Sequence, residues 1–189
     1  MISSLLTALS AWADSSPVAV ASLATTAAAS PSSDVADFMV NIARYTSWPK
    51  AATPKSLILC YAHGGALQTV ATSAVAADHV SNVNGIPVVW QVVNTPRQTA
   101  GCNMVWLNAD VRPAPREWLH TANDRPILTL SNYADFTADG GIIGAYRVGS
   151  DWRFEINLEA LHRSRINIAA VALRLSQKQR VIADSGLGR

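Results

Sequence analysis

The chain has 189 residues and a mass of 20.1 kDa, a length that suits one domain with a full hydrophobic core. Hydrophobic residues make up 49% and charged residues 15%; ordinary globular chains are about a quarter charged, so a disordered, solvated polymer is excluded. The net charge of +2 and a pI near 8.7 are too mild for a nucleic-acid-binding surface, which needs a clustered basic patch.

From Met1 to Ser33 the chain is mostly Ala, Ser, Thr, Val and Leu, with no Lys or Arg before Arg44. The apolar run Ile2 to Ala13, followed by small residues at Ala19, Ala21, Ala27 and Ala29, reads as the apolar core and cleavage zone of a secretory signal, but without the basic start. The alternative is a flexible Ala/Ser-rich tail. Asp14 and Pro17 interrupt the run short of the ~20 apolar residues of a membrane-spanning helix. In both readings the fold spans residues 34–180, with a loose tail over 181–189.

Ser33 or Asp34 caps a first helix in which Val35, Phe38, Met39, Ile42 and Tyr45 recur at helical spacing. Trp48-Pro49 ends it, because a residue before proline is pushed out of the α region. Leu57 to Ala62 reads as a buried strand, followed by Gly64-Gly65 and a helix from Ala66 to about Ala77. Asn84-Gly85 marks a turn into a second strand, Pro87 to Val93. Thr95 to Ala100 is a short helix opened by Pro96, and Met104 to Ala109 a third strand. Pro115 to Thr121 is a helix and Pro126 to Ser131 a fourth strand. Apolar strands alternating with helices predict a parallel sheet covered on both faces. The pattern then changes. Ile142 to Val148 and Trp152 to Asn157 form a hairpin through Gly149-Ser150-Asp151. Leu158 to Arg163 and Asn167 to Gln177 are helical, the latter with an apolar stripe of Ile168, Val171, Ala172, Leu173 and Leu175. The expected architecture is an α/β three-layer sandwich, with a largely parallel sheet, a C-terminal antiparallel hairpin and helices on both faces.

No catalytic, metal or cofactor site stands out. Gly64-Gly65 lacks the spacing of a phosphate-binding loop, and Gly140-Gly141 fits a backbone turn before the hairpin. No GxSxG elbow activates Ser73 or Ser131. Cys60 and His63 lie three apart on a strand end and a turn, a spacing without geometric logic for a thiol nucleophile, and Cys102 with His120 is no better placed. Asp135 and Asp139 suit local turns, and Glu155 beside Arg153 suits a surface ion pair. Five tryptophans, Trp48, Trp90, Trp106, Trp118 and Trp152, sit on or beside apolar stripes, where core packing is the default and an aromatic ligand pocket or partner surface the alternative. Cys60 and Cys102 suggest a disulfide if the protein is exported and two buried thiols if it is cytosolic.

These pieces, in this order, resemble the YfiR family. The resemblance rests on Tyr45-Thr46-Ser47-Trp48-Pro49, on Leu57 to Cys60, on Asn84 to Pro87 and on Gly101-Cys102-Asn103-Met104-Val105. It continues through Pro126 to Ser131, Phe136, Gly140 to Gly144 and, most strongly, Arg153-Phe154-Glu155-Ile156-Asn157-Leu158. It covers about Val35 to Gln177. It implies a periplasmic protein, not an enzyme and without a cofactor, that represses a membrane-bound diguanylate cyclase through the cyclase's periplasmic domain and so lowers cyclic di-GMP. It also implies a Cys60–Cys102 disulfide. The chain departs from some relatives in lacking a second cysteine pair, and members beside other membrane sensors regulate a kinase instead. For the docking face, the hairpin and last helix offer Arg153, Glu155, Arg163, Arg165 and Arg174 to an acidic partner; Trp-rich apolar surface would equally serve a homodimer. A small-ligand-binding module reporting to a sensor kinase is the alternative function, and it predicts a concave aromatic pocket.

Overall fold

The computed structural model describes residues 31–49, 54–62, 82–111, 114–175 and 178–180. The expected signal segment up to residue 30, the Gly64-Gly65 turn with its helix, and the tail lie outside the described residues.

Helix α1 (Pro31–Arg44) takes in the expected caps Ser33 and Asp34, with Pro31 tolerated in its first turn. Val35, Phe38, Met39 and Ile42 face the core as their spacing predicts, and Ala36, Val40 and Ala43 are buried beside them. The helix stops at Arg44, ahead of Trp48-Pro49: the Thr46 hydroxyl donates to the Ile42 carbonyl at 2.8 Å, and the chain turns into a two-residue strand, β1 (Thr46–Ser47). Strand β2 (Leu57–Ala62) follows. Then come β3 (Asn82–Val83) and β4 (Ile86–Val93), joined by Asn84-Gly85 with φ of 51° and 83°, the left-handed pair that a tight hairpin requires. A 3-10 helix (Pro96–Gly101) leads to β5 (Met104–Leu107), α2 (Pro115–Ala122) and β6 (Leu128–Ser131). The hairpin is β7 (Ile143–Val148) and β8 (Asp151–Asn157). Helix α3 (Leu158–Ser164), β9 (Asn167–Ile168), α4 (Ala170–Leu175) and β10 (Lys178–Arg180) complete the order.

The C-terminal helix is shorter than expected. Residues 166–168 alternate, with Ile166 and Ile168 buried and Asn167 exposed between them, so a period of two wins over the helical stripe. Ile168 pairs antiparallel with Thr46, and the Ala169 amide donates to the Tyr45 carbonyl at 2.8 Å. Only then does α4 begin. It buries Ala172 and leaves Val171 52% exposed, so Val171 is not part of the core stripe.

The main sheet has the order β10-β8-β7-β6-β5-β2-β4-β3. Pairings from β4 through β2, β5 and β6 to β7 are parallel; β7–β8 and β3–β4 are antiparallel, and β10 runs parallel to β8. Both faces are covered, as expected of an α/β sandwich. On one face Leu59, Trp106, Leu130, Ile143 and Ile156 pack under α1, α3 and α4. On the other Cys60, Val105, Leu107 and Phe136 pack with Trp118 and Leu119 of α2. Trp106 and Trp118 are fully buried, one in each layer. Tyr61 stacks on Trp90 with ring centroids 5.4 Å apart, and burial pushes its hydroxyl well above the usual phenol range.

Asn103 ties the sheet's centre together. Its amide donates to the Ile58 carbonyl at 2.9 Å, and its side-chain oxygen accepts from the Ile58 amide at 2.8 Å. Its carbonyl accepts from the Leu128 amide at 2.9 Å and from Trp48 Nε1 at 3.3 Å. The Trp-Pro element and the residue after the second cysteine are thus one joint. Beside it Cys60 and Cys102 form a disulfide, Cα atoms 6.0 Å apart and 42 residues apart in sequence. Closing such a loop contributes about 4 kcal/mol by chain entropy. We predict that the Cys60→Ala/Cys102→Ala variant loses about 2–4 kcal/mol of unfolding free energy in urea titration; an unchanged midpoint would show that the link carries no stability.

Candidate functional site

Strand β8 carries the Arg-Phe-Glu-Ile-Asn-Leu sequence, and its alternation divides the work. Phe154 and Ile156 face α1; Phe154 sits 6.0 Å from Phe38, ring to ring. Asn157 ends the strand and is buried. Its side-chain oxygen accepts from the Ala160 amide at 3.0 Å, capping α3, and its Nδ2 donates to the Thr137 carbonyl at 2.8 Å. The Thr137 hydroxyl in turn donates to the Glu155 carboxylate. Glu155 lies over Gly144, where an added Cβ would stand 3.2 Å from Glu155 Cγ. Gly141 lies against the fully buried Phe136 ring, leaving no room for a side chain. Gly141 and Gly144 are therefore small because Phe136 and Glu155 fill the space above them, whereas Gly140 stands in open space with a φ of 99°.

Helix α3, fixed by that cap, points its last turn at α2. Two open clefts adjoin there and share Arg163. One, of about 410 Å³, is lined by Arg116, His120, Asn123, Asp139, Gly140 and Arg163, among others. The other, of about 570 Å³, is lined by Asp124, His162, Arg163, Arg165 and Ile166. Arg116 pairs with Asp139 at 2.6 Å, and that carboxylate holds its guanidinium above the ordinary value. Arg163 lies 3.4 Å from Glu159 and 3.9 Å from Asp124, and its buried Nε has no hydrogen-bond partner. Arg165 caps α3 with φ 58°, a left-handed conformation that favours glycine.

At the far end of the hairpin a groove of about 550 Å³ opens between α1, β8 and α4, with Asp37, Asn41, Tyr45, Trp152, Arg153 and Ala172 among its walls. Arg147 lies 4.1 Å above the Trp152 ring, pairs with Asp34 and donates to the Ser150 carbonyl at 2.5 Å. Trp152 Nε1 donates to the Asp34 carbonyl at 3.2 Å, and its ring lies 5.2 Å from Phe38. The hairpin is thereby clamped to the start of α1.

The five residues singled out from the sequence fall into different places. Arg163 and Arg165 come together in one cleft. Arg153 lines the groove and lies 3.8 Å from Asp151. Glu155 is half-buried and bonded to Thr137, and Arg174 is exposed on α4. The sequence reading missed Arg116, His120 and His162 as neighbours of Arg163, and Asp34, Arg147 and Trp152 as a clamp. No local spacing announces either group, because each is assembled from separate elements. Among the described residues no group of three His, Cys, Asp or Glu is placed to hold a metal ion, and no helix is long and apolar enough to cross a membrane.

A family model described as YfiR/HmsC-like matches residues 33–177. The chain belongs to this family. No curated protein matches it. YfiR/HmsC-like proteins are periplasmic regulators in cyclic di-GMP signalling and act with membrane partners; the family is regulatory rather than catalytic. The motifs that carry the match have structural work here: Trp48 and Asn103 join the sheet's centre, and Asn157, Thr137 and Glu155 join hairpin to helix.

Two substitutions separate scaffold from surface. Asn157→Ala removes a cap and a buried hydrogen bond and is expected to cost about 2–3 kcal/mol in chemical denaturation. Arg165→Gly relieves a left-handed residue and is expected to leave stability unchanged or raise it by up to ~1 kcal/mol. A large loss in the glycine variant would mean that the Arg165 side chain holds the fold.

Proposed function

We propose that this protein is exported to the periplasm and there represses a membrane-bound diguanylate cyclase, lowering cyclic di-GMP. The observation that carries the proposal is the family match over residues 33–177, which takes in nearly all of the described fold. The Ala/Ser-rich segment before it serves as the export signal. Repression needs a stable scaffold and a docking face rather than a reaction centre. Arg153, Arg163, Arg165 and Arg174 supply cations to the periplasmic domain of the partner, and Glu155, bonded to Thr137, stands beside Arg153 on the hairpin. A homodimer would use the exposed Tyr146 and Val148 of the hairpin. A membrane sensor kinase is the other partner of this kind.

One observation favours a second reading, a small-ligand-binding module: the groove beside Trp152, Tyr45 and Phe38 is concave and partly aromatic. On that reading an aromatic ligand raises the melting temperature of the purified protein, and Trp152→Ala removes the shift.

The deciding measurement is cellular cyclic di-GMP. Deleting the gene is expected to raise it several-fold, and only a copy that carries the export signal should restore the low level. Unchanged cyclic di-GMP, under conditions where the protein is made, would falsify repression of a cyclase.

A further inference from the structure

Asn84-Gly85 is the chain's one Asn-Gly pair and Asp139-Gly140 its one Asp-Gly pair. In such pairs the glycine nitrogen, with no side chain beside it, attacks the side-chain carbonyl carbon of the preceding residue and closes a cyclic imide. The fold treats the two pairs oppositely. Asp139 is held: its side chain is 9% exposed and its carboxylate pairs with Arg116 at 2.6 Å. The Gly140 nitrogen that would attack it donates to the Thr137 carbonyl at 3.3 Å. Asn84 and Gly85 are both exposed, and nothing stands within 4 Å of the place a Gly85 Cβ would take. The Asn84 amide is held at the surface, where Nδ2 donates at 2.8 Å to the carbonyl of Arg44, the last residue of α1.

The turn that carries this pair is lightly built. Strand β3 has two residues, and its partners on β4 are Pro87 for Asn82 and Ile86 for Val83. Proline has no N–H, so it gives the ladder no donor there. Opening the hairpin breaks few bonds, and its main apolar cost is to expose Val83, which is buried when it is closed. Small edge elements open far more often than the whole fold.

We propose that Asn84 is a site of spontaneous deamidation in the folded protein, and that its conversion releases the β3–β4 turn from α1. When the turn opens, the Gly85 nitrogen gives up its proton and bonds to Asn84 Cγ. The bond from Cγ to Nδ2 breaks, and the amide nitrogen leaves with that proton as ammonia. Water then opens the imide, at Cγ to give aspartate or at the main-chain carbonyl to give isoaspartate. Water supplies the oxygen, so no oxidant or reductant takes part. Either product carries a carboxylate where the donor was. It has no proton to give the Arg44 carbonyl, and it meets the negative end of the α1 dipole. Isoaspartate also lengthens the main chain by a methylene inside a turn whose two left-handed residues fit a tight hairpin. None of this depends on which partner the protein regulates.

The test incubates the purified chain in mildly alkaline buffer, native and urea-unfolded, and maps the products by peptide mass spectrometry with isoaspartate detection. In the native protein residue 84 should convert about ten- to a hundredfold more slowly than in the unfolded chain, the population of a locally opened edge. Isoaspartate at residue 139 should form only in the unfolded chain. Protection of Asn84 by about a thousandfold or more would mean that it reacts only through global unfolding, and this overturns the proposal. The consequence is tested with Asn84→Asp and with Asn84→Gly, which accepts the φ of 51° and loses the donor without adding charge. The aspartate variant should melt about 2–4 °C below the parent and below the glycine variant as well. An aspartate variant as stable as the parent overturns the release of the turn.

Discussion

Asn157 has one side-chain amide and two obligations. Its oxygen starts α3 and its nitrogen holds the Thr137 carbonyl, so one buried group fixes both the angle at which the chain leaves the sheet and the loop that precedes the hairpin. A buried amide left half-bonded is costly, which makes the arrangement all-or-none. The direction of α3, and with it the position of His162, Arg163 and Arg165, follows from it.

The same economy recurs at the sheet's centre. Asn103 bonds to Ile58, accepts from Leu128 and receives Trp48 Nε1, so three neighbouring strands and the element after α1 share one residue. The disulfide lies beside this joint on the opposite layer from α1. Residues that look like signatures in sequence are joints in the fold, each satisfying backbone groups that would otherwise be buried without partners. What remains on the surface after those joints are made is a clamped hairpin with a groove at one end, and charged clefts at the other.

The clamp and the clefts differ physically. In the clamp, Arg147 is held over an aromatic ring and against Asp34, so its charge is spent within the molecule. In the clefts, the guanidinium–carboxylate pairs are solvent-exposed on at least one side. Such pairs contribute little to stability and can be exchanged for contacts with a partner at small cost. On the proposed function the clefts, rather than the clamp with its arginine stacked on Trp152, face the partner.

The sequence by itself determined the sheet and its covering. Apolar strands of four to eight residues, proline-opened helices, the Asn84-Gly85 turn and the alternating hairpin are local patterns, and each formed within a few residues of its expected bounds. The sequence also carried the family resemblance and, through it, the disulfide that the structure contains. Tertiary structure decided what local pattern could not. The start of the helix expected from Asn167 yielded to the two-residue strand Asn167–Ile168 because Thr46, more than a hundred residues earlier, offered a pairing edge to Ile168. Glu155 looked like a partner for Arg153, but Thr137, eighteen residues away, took its carboxylate. Arg163 met His120 and Arg116 only because α2 and α3 end at the same edge of the molecule. Periodicity reports which face a residue takes within its own element, whereas a site on this protein is made where elements meet, and no spacing along the chain encodes that distance.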